Sequence, residues 1–220
     1  MSLRSRVAAL LVALSVALAG IMYSTQQWVV MPTFVDIERM AAELNVNRCV
    51  EALRRDLQSL ADTTSDWAYW DDTYRYVYDR NEQYEHVNLS DNAFLNARLD
   101  LICILDNDGQ LVWGEGRDNE RCRRIELPNL FEQLQSANTP ITNFTDDSDG
   151  AMGVAVTAHG PILLAARPIL NNKREGPRRG TLVMGRFFNA KEIDDLAERT
   201  QVYLTAVSYT HLTLPTICSV

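Results

Sequence analysis

The apolar positions follow three successive rhythms along the chain. Val7 to Tyr23 carries no charge, Ser24 to Gln27 is polar but uncharged, and Trp28 to Met31 is apolar again. A bilayer core needs about 20 apolar residues in a helix, and the uncharged stretch Val7–Val35 meets that length. The rhythm then becomes helical. Ile37, Met40, Ala41, Leu44, Val50, Leu53, Leu57 and Leu60 recur at steps of three and four, predicting one long amphipathic helix from Phe34 to about Ala61. Asn45, Asn47 and Arg48 interrupt it, so it is not a clean heptad seam. Trp67, Trp70, Tyr74 and Tyr78 continue at helical spacing, predicting a second helix capped by Ser65 or Thr64 and ending near Asp79–Asn81. Tyr84–Ser90 reads as a connector. Asn92–Arg98 reads as a short helix with Phe94 and Leu95 facing inward.

From Leu99 onward the pattern is that of strands. Leu99–Leu105 and Gln110–Trp113 flank an Asp106-Asn107-Asp108-Gly109 hairpin turn. Gly114–Arg124 reads as a loop, Leu130–Leu134 as a short helix and Ile141–Gly150 as a loop. Ala151–Ala158, Ile162–Leu170 and Thr181–Phe188 read as strands. The charged loop Asn171–Gly180 reads as a solvated hairpin tip. Asn189 caps a helix over Ala190–Thr200, and Gln201–Val207 is a further strand. Helices first and hairpins later make the chain α+β.

Charge narrows the partners. The net charge is −8, and beyond Arg4 and Arg6 there are 19 basic against 29 acidic residues. Nucleic acid is excluded as a partner, because phosphate binding needs a basic footprint. Arg4 and Arg6 ahead of the apolar run set residues 1–6 in the cytoplasm and the chain beyond the run outside. Two readings of the run compete. Ala17-Leu18-Ala19 before Gly20 fits cleavage of a signal peptide, which would release a secreted periplasmic solute-binding protein. The full uncharged length, with Tyr23 and Trp28 as interface anchors, favours a retained membrane helix over residues 7–30.

The chemistry is sparse. Cys49, Cys103, Cys122 and Cys218 show no metal-site spacing, and His86, His159 and His211 are scattered. Cys103 and Cys122 could pair in an oxidising compartment or stay as free thiols. No phosphate loop, nucleophile elbow or kinase signature is present, so no cofactor and no enzymatic role is expected of this stretch. Ser208–Val220 contains no Asp, Glu, Lys or Arg and reads as the translation of a sequencing adapter; residues 208–220 are set aside as an artefact, and the chain as a fragment.

The one dense stretch is Asp66-Trp67-Ala68-Tyr69-Trp70-Asp71-Asp72-Thr73-Tyr74. Aromatic faces flanked by carboxylates serve either as core or as a cage for an amine-bearing ligand. Asp66-x-Ala68-x-Trp70-Asp71-Asp72-x-Tyr74, followed by Tyr84, Asn88-Leu89, a Leu99-Asp100 strand start and a Gly185-Arg186-Phe187 strand end, resembles the CHASE extracytoplasmic sensory domain of the fourth type. The resemblance runs from about Phe34 to about Val207. It implies a PAS-like antiparallel sheet with helical insertions, preceded by a long helix, in residues 31–207 of a bacterial transmembrane receptor. It also implies an output absent from this chain: a diguanylate cyclase, a cyclic-di-GMP phosphodiesterase or a histidine kinase. A homodimer paired through the long helix and a small-molecule or periplasmic ligand are the expected partners. The candidate ligand residues are Asp66, Trp67, Trp70, Asp71, Asp72, Tyr74 and Asn88.

Overall fold

A computed structural model describes residues 3–119, 121, 123–136, 139–142, 150–202 and 218–219. The chain divides into two units, Met1–Val50 and Glu51–Val220. The first holds α1 (Leu3–Thr25), a π-helical turn (Gln26–Val30) and the start of α2 (Met31–Ala68). The π turn closes with the Met31 N–H on the Gln26 carbonyl, directly before Pro32, whose missing N–H interrupts an α ladder. Leu10–Trp28 is long and apolar enough to cross a membrane.

In the second unit, α2 runs past the expected end at Ala61. Asp62-Thr63-Thr64-Ser65 does not cap a new helix. The hydroxyls of Thr63, Thr64 and Ser65 instead bond back to the carbonyls of Ser59, Leu60 and Ala61, which holds them inside the helix. The helix stops at Ala68, whose carbonyl accepts the N–H of Leu170, from the segment that follows Pro168. Trp70 is extended (φ −78°, ψ 136°), and α3 (Asp71–Asp79) starts afresh with Asp71 and Asp72 in its first turn, where acids suit the helix dipole. The expected continuous aromatic helix is therefore broken. Across that break the phase resets, so α3 buries Thr73, Tyr76 and Val77 rather than Tyr74 and Tyr78.

Next come α4 (Glu82–Asn88), where a connector was expected, and α5 (Asp91–Ala97). Asn81 caps α4 by accepting the Gln83 N–H. Phe94 is fully buried, but Leu95 points outward, against expectation.

The sheet contains β1 (Leu101–Asp106), β2 (Leu111–Asp118), β3 (Arg123–Ile125), β4 (Ala151–Thr157), β5 (Gly160–Pro168), β6 (Gly180–Phe187) and a two-residue β7 (Cys218–Ser219). α6 (Pro128–Gln135) and α7 (Ala190–Thr200) complete the elements. The order is β3-β2-β1-β6-β5-β4-β7, antiparallel throughout. β1 against β6 joins two meanders, with Leu101 opposite Gly185. The fold is α+β, as the pattern predicts. β2 and β3 occupy the stretch expected to be a loop. A Cβ at Gly114 or Gly116 would strike Phe131 or Leu127, so these glycines let α6 lie close on the strand.

Both faces of the central strands are covered. Ile102, Ile104, Leu163, Ala165, Leu182 and Met184 pack with Leu57, Leu60 and Ala61 of α2 and with Tyr76 and Phe94. Leu101, Cys103, Leu105, Ile162, Leu164, Ala166 and Val183 pack with Leu130 and Leu134 of α6. Each fully buried leucine or isoleucine contributes about 1.5–3 kcal/mol. Cys103 is a buried free thiol, and Cys122 lies outside the described residues. Outside them too lie the last five residues of the strand expected over Gln201–Val207 and most of Ser208–Val220.

Candidate functional site

The structure does not gather the seven sequence-derived candidates into one site. Asp66 sits on the exposed side of α2. Trp67 and Trp70 stack on each other, with centroids 5.2 Å apart. The Asp71 carboxylate accepts the Asn172 N–H, and the Tyr74 hydroxyl donates to the Pro177 carbonyl. Asp72 and Asn88 line a separate cleft of about 230 Å³ between α3 and α4, with Tyr84 at its base. The Tyr84 hydroxyl lies 2.7 Å from Thr73 Oγ1, and burial pushes its pKa up to about 12.

The tyrosine faces of this segment have arginines on them. Arg179 lies 3.7 Å from the Tyr74 ring centroid and 4.5 Å from that of Tyr78, and it donates to the Tyr74 carbonyl. Arg174 lies 4.6 Å from the Tyr69 centroid. Both arginines come from Asn171–Gly180, so the loop expected to be a solvated tip is docked on the aromatic segment. Cation–π attraction and backbone hydrogen bonds hold it there.

A larger cavity, of about 440 Å³, opens where α5 meets β1, β6 ends and α7 begins. That volume suits a small organic ligand. The β1–β6 register builds its floor. Asp100, just ahead of β1, accepts the Phe187 N–H at 2.8 Å and the Asn119 N–H at 3.4 Å. Burial pushes its carboxyl up to about 6, while those two N–H groups and Arg186 pull the other way. Arg186 is aimed by its own bonds: Nε donates to the Arg98 carbonyl at 2.8 Å and Nη2 to the Ala97 carbonyl at 3.3 Å. A cation at those carbonyls also suits the C-terminus of α5. Arg98 stands beside it in the left-handed region (φ 52°). Asn189 caps α7 by accepting the Glu192 N–H, and Lys191, Glu192 and Asp195 of that helix line the same cavity. Among the described residues, Arg98, Lys191, Glu192 and Asp195 have no ion-pair partner. At its far end α7 meets α2, where Arg199 makes a bidentate pair with Asp56 at 2.9 and 3.0 Å.

Residues 52–207 match the CHASE4 domain family. The chain belongs to the CHASE4 family. It is a sensory domain, not a catalytic one. The chain is 25% identical over 204 residues to the methanogenesis regulatory histidine kinase FilI of Methanothrix harundinacea (strain 6Ac), covering 93% of this chain and 23% of that protein. The chain thus spans under a quarter of that relative's length. Similar solved structures include the extracellular domain of a predicted histidine kinase, vpHK1S-Z8 (18% identity, TM-score 0.43, 70% of this chain and 62% of that one). Another is a domain of a predicted sensory box/GGDEF family protein from Vibrio parahaemolyticus (16% identity, TM-score 0.40, 70% and 64%).

Sequence reasoning passed over the cavity of this CHASE4 domain. Its signals were present in the Leu99-Asp100 and Gly185-Arg186-Phe187 segments. These read as strand ends, and only the β1–β6 pairing brings them together.

Proposed function

We propose that this CHASE4 domain is the extracytoplasmic ligand-sensing part of a membrane-anchored signal-transduction receptor, held by α1. The observation that carries this reading is a sensory-family domain, residues 52–207, with the apolar span Leu10–Trp28 ahead of it in the sequence. The relative's kinase activity supports a histidine kinase output elsewhere in the parent protein; a diguanylate cyclase or cyclic-di-GMP phosphodiesterase is the alternative output. A homodimer is the form in which paired α2 helices would transmit a shift. The test is fractionation of the chain fused at Val202 to alkaline phosphatase, which is active only outside the cytoplasm. An active fusion that stays in the membrane through a carbonate wash is expected. Release as a shortened soluble protein would replace this reading with that of a secreted binding protein.

Within the domain, the cavity beside α7 is the ligand site we infer. It has an organic ligand's volume and lining charges that form no ion pair among the described residues, whereas Arg174 and Arg179 lie over the Tyr69 and Tyr74 rings. A ligand there touches α7, and Arg199–Asp56 ties α7 to α2. Binding that favours one position of α7 therefore biases α2 by the difference in affinity between the two positions.

A further inference from the structure

We propose that the cavity beside α7 takes a small zwitterion, a ligand with a carboxylate at one end and a cationic nitrogen at the other. The inference rests on the reading of that cavity as the ligand site. Its lining carries charges of both signs, from different elements. Arg98 and Arg186 come from the α5–β1 corner and the end of β6, and Glu192 and Asp195 from the first turns of α7. The remaining acids are spoken for: Asp118 pairs with Arg121 at 2.9 Å, and Asp100 takes two backbone N–H groups. Lys191 stands at the start of α7 and balances Glu192 and Asp195 only in part.

The arrangement selects against simpler ligands. A phosphate or sulfate would meet the two arginines but also bring its charge toward Glu192, Asp195, Asp118 and Asp100, and like charges in a partly dry site repel strongly. A plain carboxylate would satisfy Arg186 and leave the α7 acids to lose water without a partner, which is the usual source of discrimination against a ligand missing one group. A plain amine leaves the arginines in the same position. A zwitterion pairs charges of both signs, and the guanidinium of Arg186, already fixed by its bonds to Ala97 and Arg98, is preorganised for a carboxylate. The same ligand would bridge β6 and α7, the element tied to α2 through Arg199.

The test uses the full chain in detergent at neutral pH and constant ionic strength. Its melting temperature is followed with the protein amino acids and betaine as zwitterions, with acetate and propionate as carboxylates, and with methylammonium as the amine. The expected result is a rise of a few degrees with at least one zwitterion and none with either half-ligand. Arg186→Ala and Asp195→Asn should each raise the half-effect concentration about tenfold or more, with every shift read from that variant's own unliganded melting temperature. Carboxylates as effective as zwitterions, with the effect lost in Arg186→Ala, would overturn the ligand class and keep the site. A shift that survives both substitutions would overturn the site itself. No shift with any zwitterion would overturn the proposal.

Discussion

Asp100 offers a sharp energetic test, because its burial and bonding make opposite demands. The residue is 8% exposed, and its carboxylate holds together the start of β1, the turn after β2 and the end of β6. Burial lifts its pKa from the ordinary 3.8 to about 6. The folded carboxyl therefore holds its proton more tightly than the unfolded one. Its contribution favours the fold below about pH 4 and is lost as pH rises through about 6. A shift of about two units at about 1.4 kcal/mol each makes that loss about 3 kcal/mol. Asp100→Asn removes the titration. It keeps one acceptor oxygen and sets an NH2 against one backbone N–H, a pH-independent penalty of about 1–3 kcal/mol. Urea unfolding in mild detergent, followed by tryptophan fluorescence, gives the stability of both proteins. The wild-type advantage should shrink by about 3 kcal/mol between about pH 4 and about pH 7. An advantage constant to within about 0.5 kcal/mol would refute the reasoning.

Phe94→Ala empties a fully buried site beneath Trp113 and Arg117, so a stability loss of about 3–5 kcal/mol is expected in the same assay. Arg179→Ala removes two ring contacts and the bond to the Tyr74 carbonyl; the expected signature is a loss of about 1–2 kcal/mol with faster protease cleavage within Asn171–Gly180. An unchanged cleavage rate would mean that the loop is not held by those contacts. Asp56→Ala and Arg199→Ala, combined in a double-mutant cycle, should show a coupling of about 0.5 kcal/mol, because the pair is partly solvated; a value near zero would remove the link between α7 and α2.

Periodicity revealed most of the architecture because two-sided burial writes itself into composition. β1, β5 and β6 are runs of apolar residues since both faces are covered, and α2 carries its stripe for the same reason. The errors fall where a tertiary contact overrode a local signal. Thr63, Thr64 and Ser65 looked like caps but bond back within α2. Gly114–Arg124 looked like a loop, but Gly114 and Gly116 make room for α6 within β2. Asn171–Gly180 looked solvated because arginine usually is, and its rings of attachment lie about a hundred residues upstream. The cavity was invisible for a related reason: Arg98 and Arg186 are 88 residues apart and meet only through strand register.

The most direct test of the central claim is a thermal-shift screen of the full chain against a small-metabolite library, run in parallel on wild type, Arg186→Ala and Trp70→Ala. Ligand sensing at the cavity beside α7 predicts hits that Arg186→Ala loses and Trp70→Ala keeps. Hits lost with Trp70 and kept without Arg186 would move the site to the aromatic segment, and a screen with no hit would contradict a small-molecule sensor.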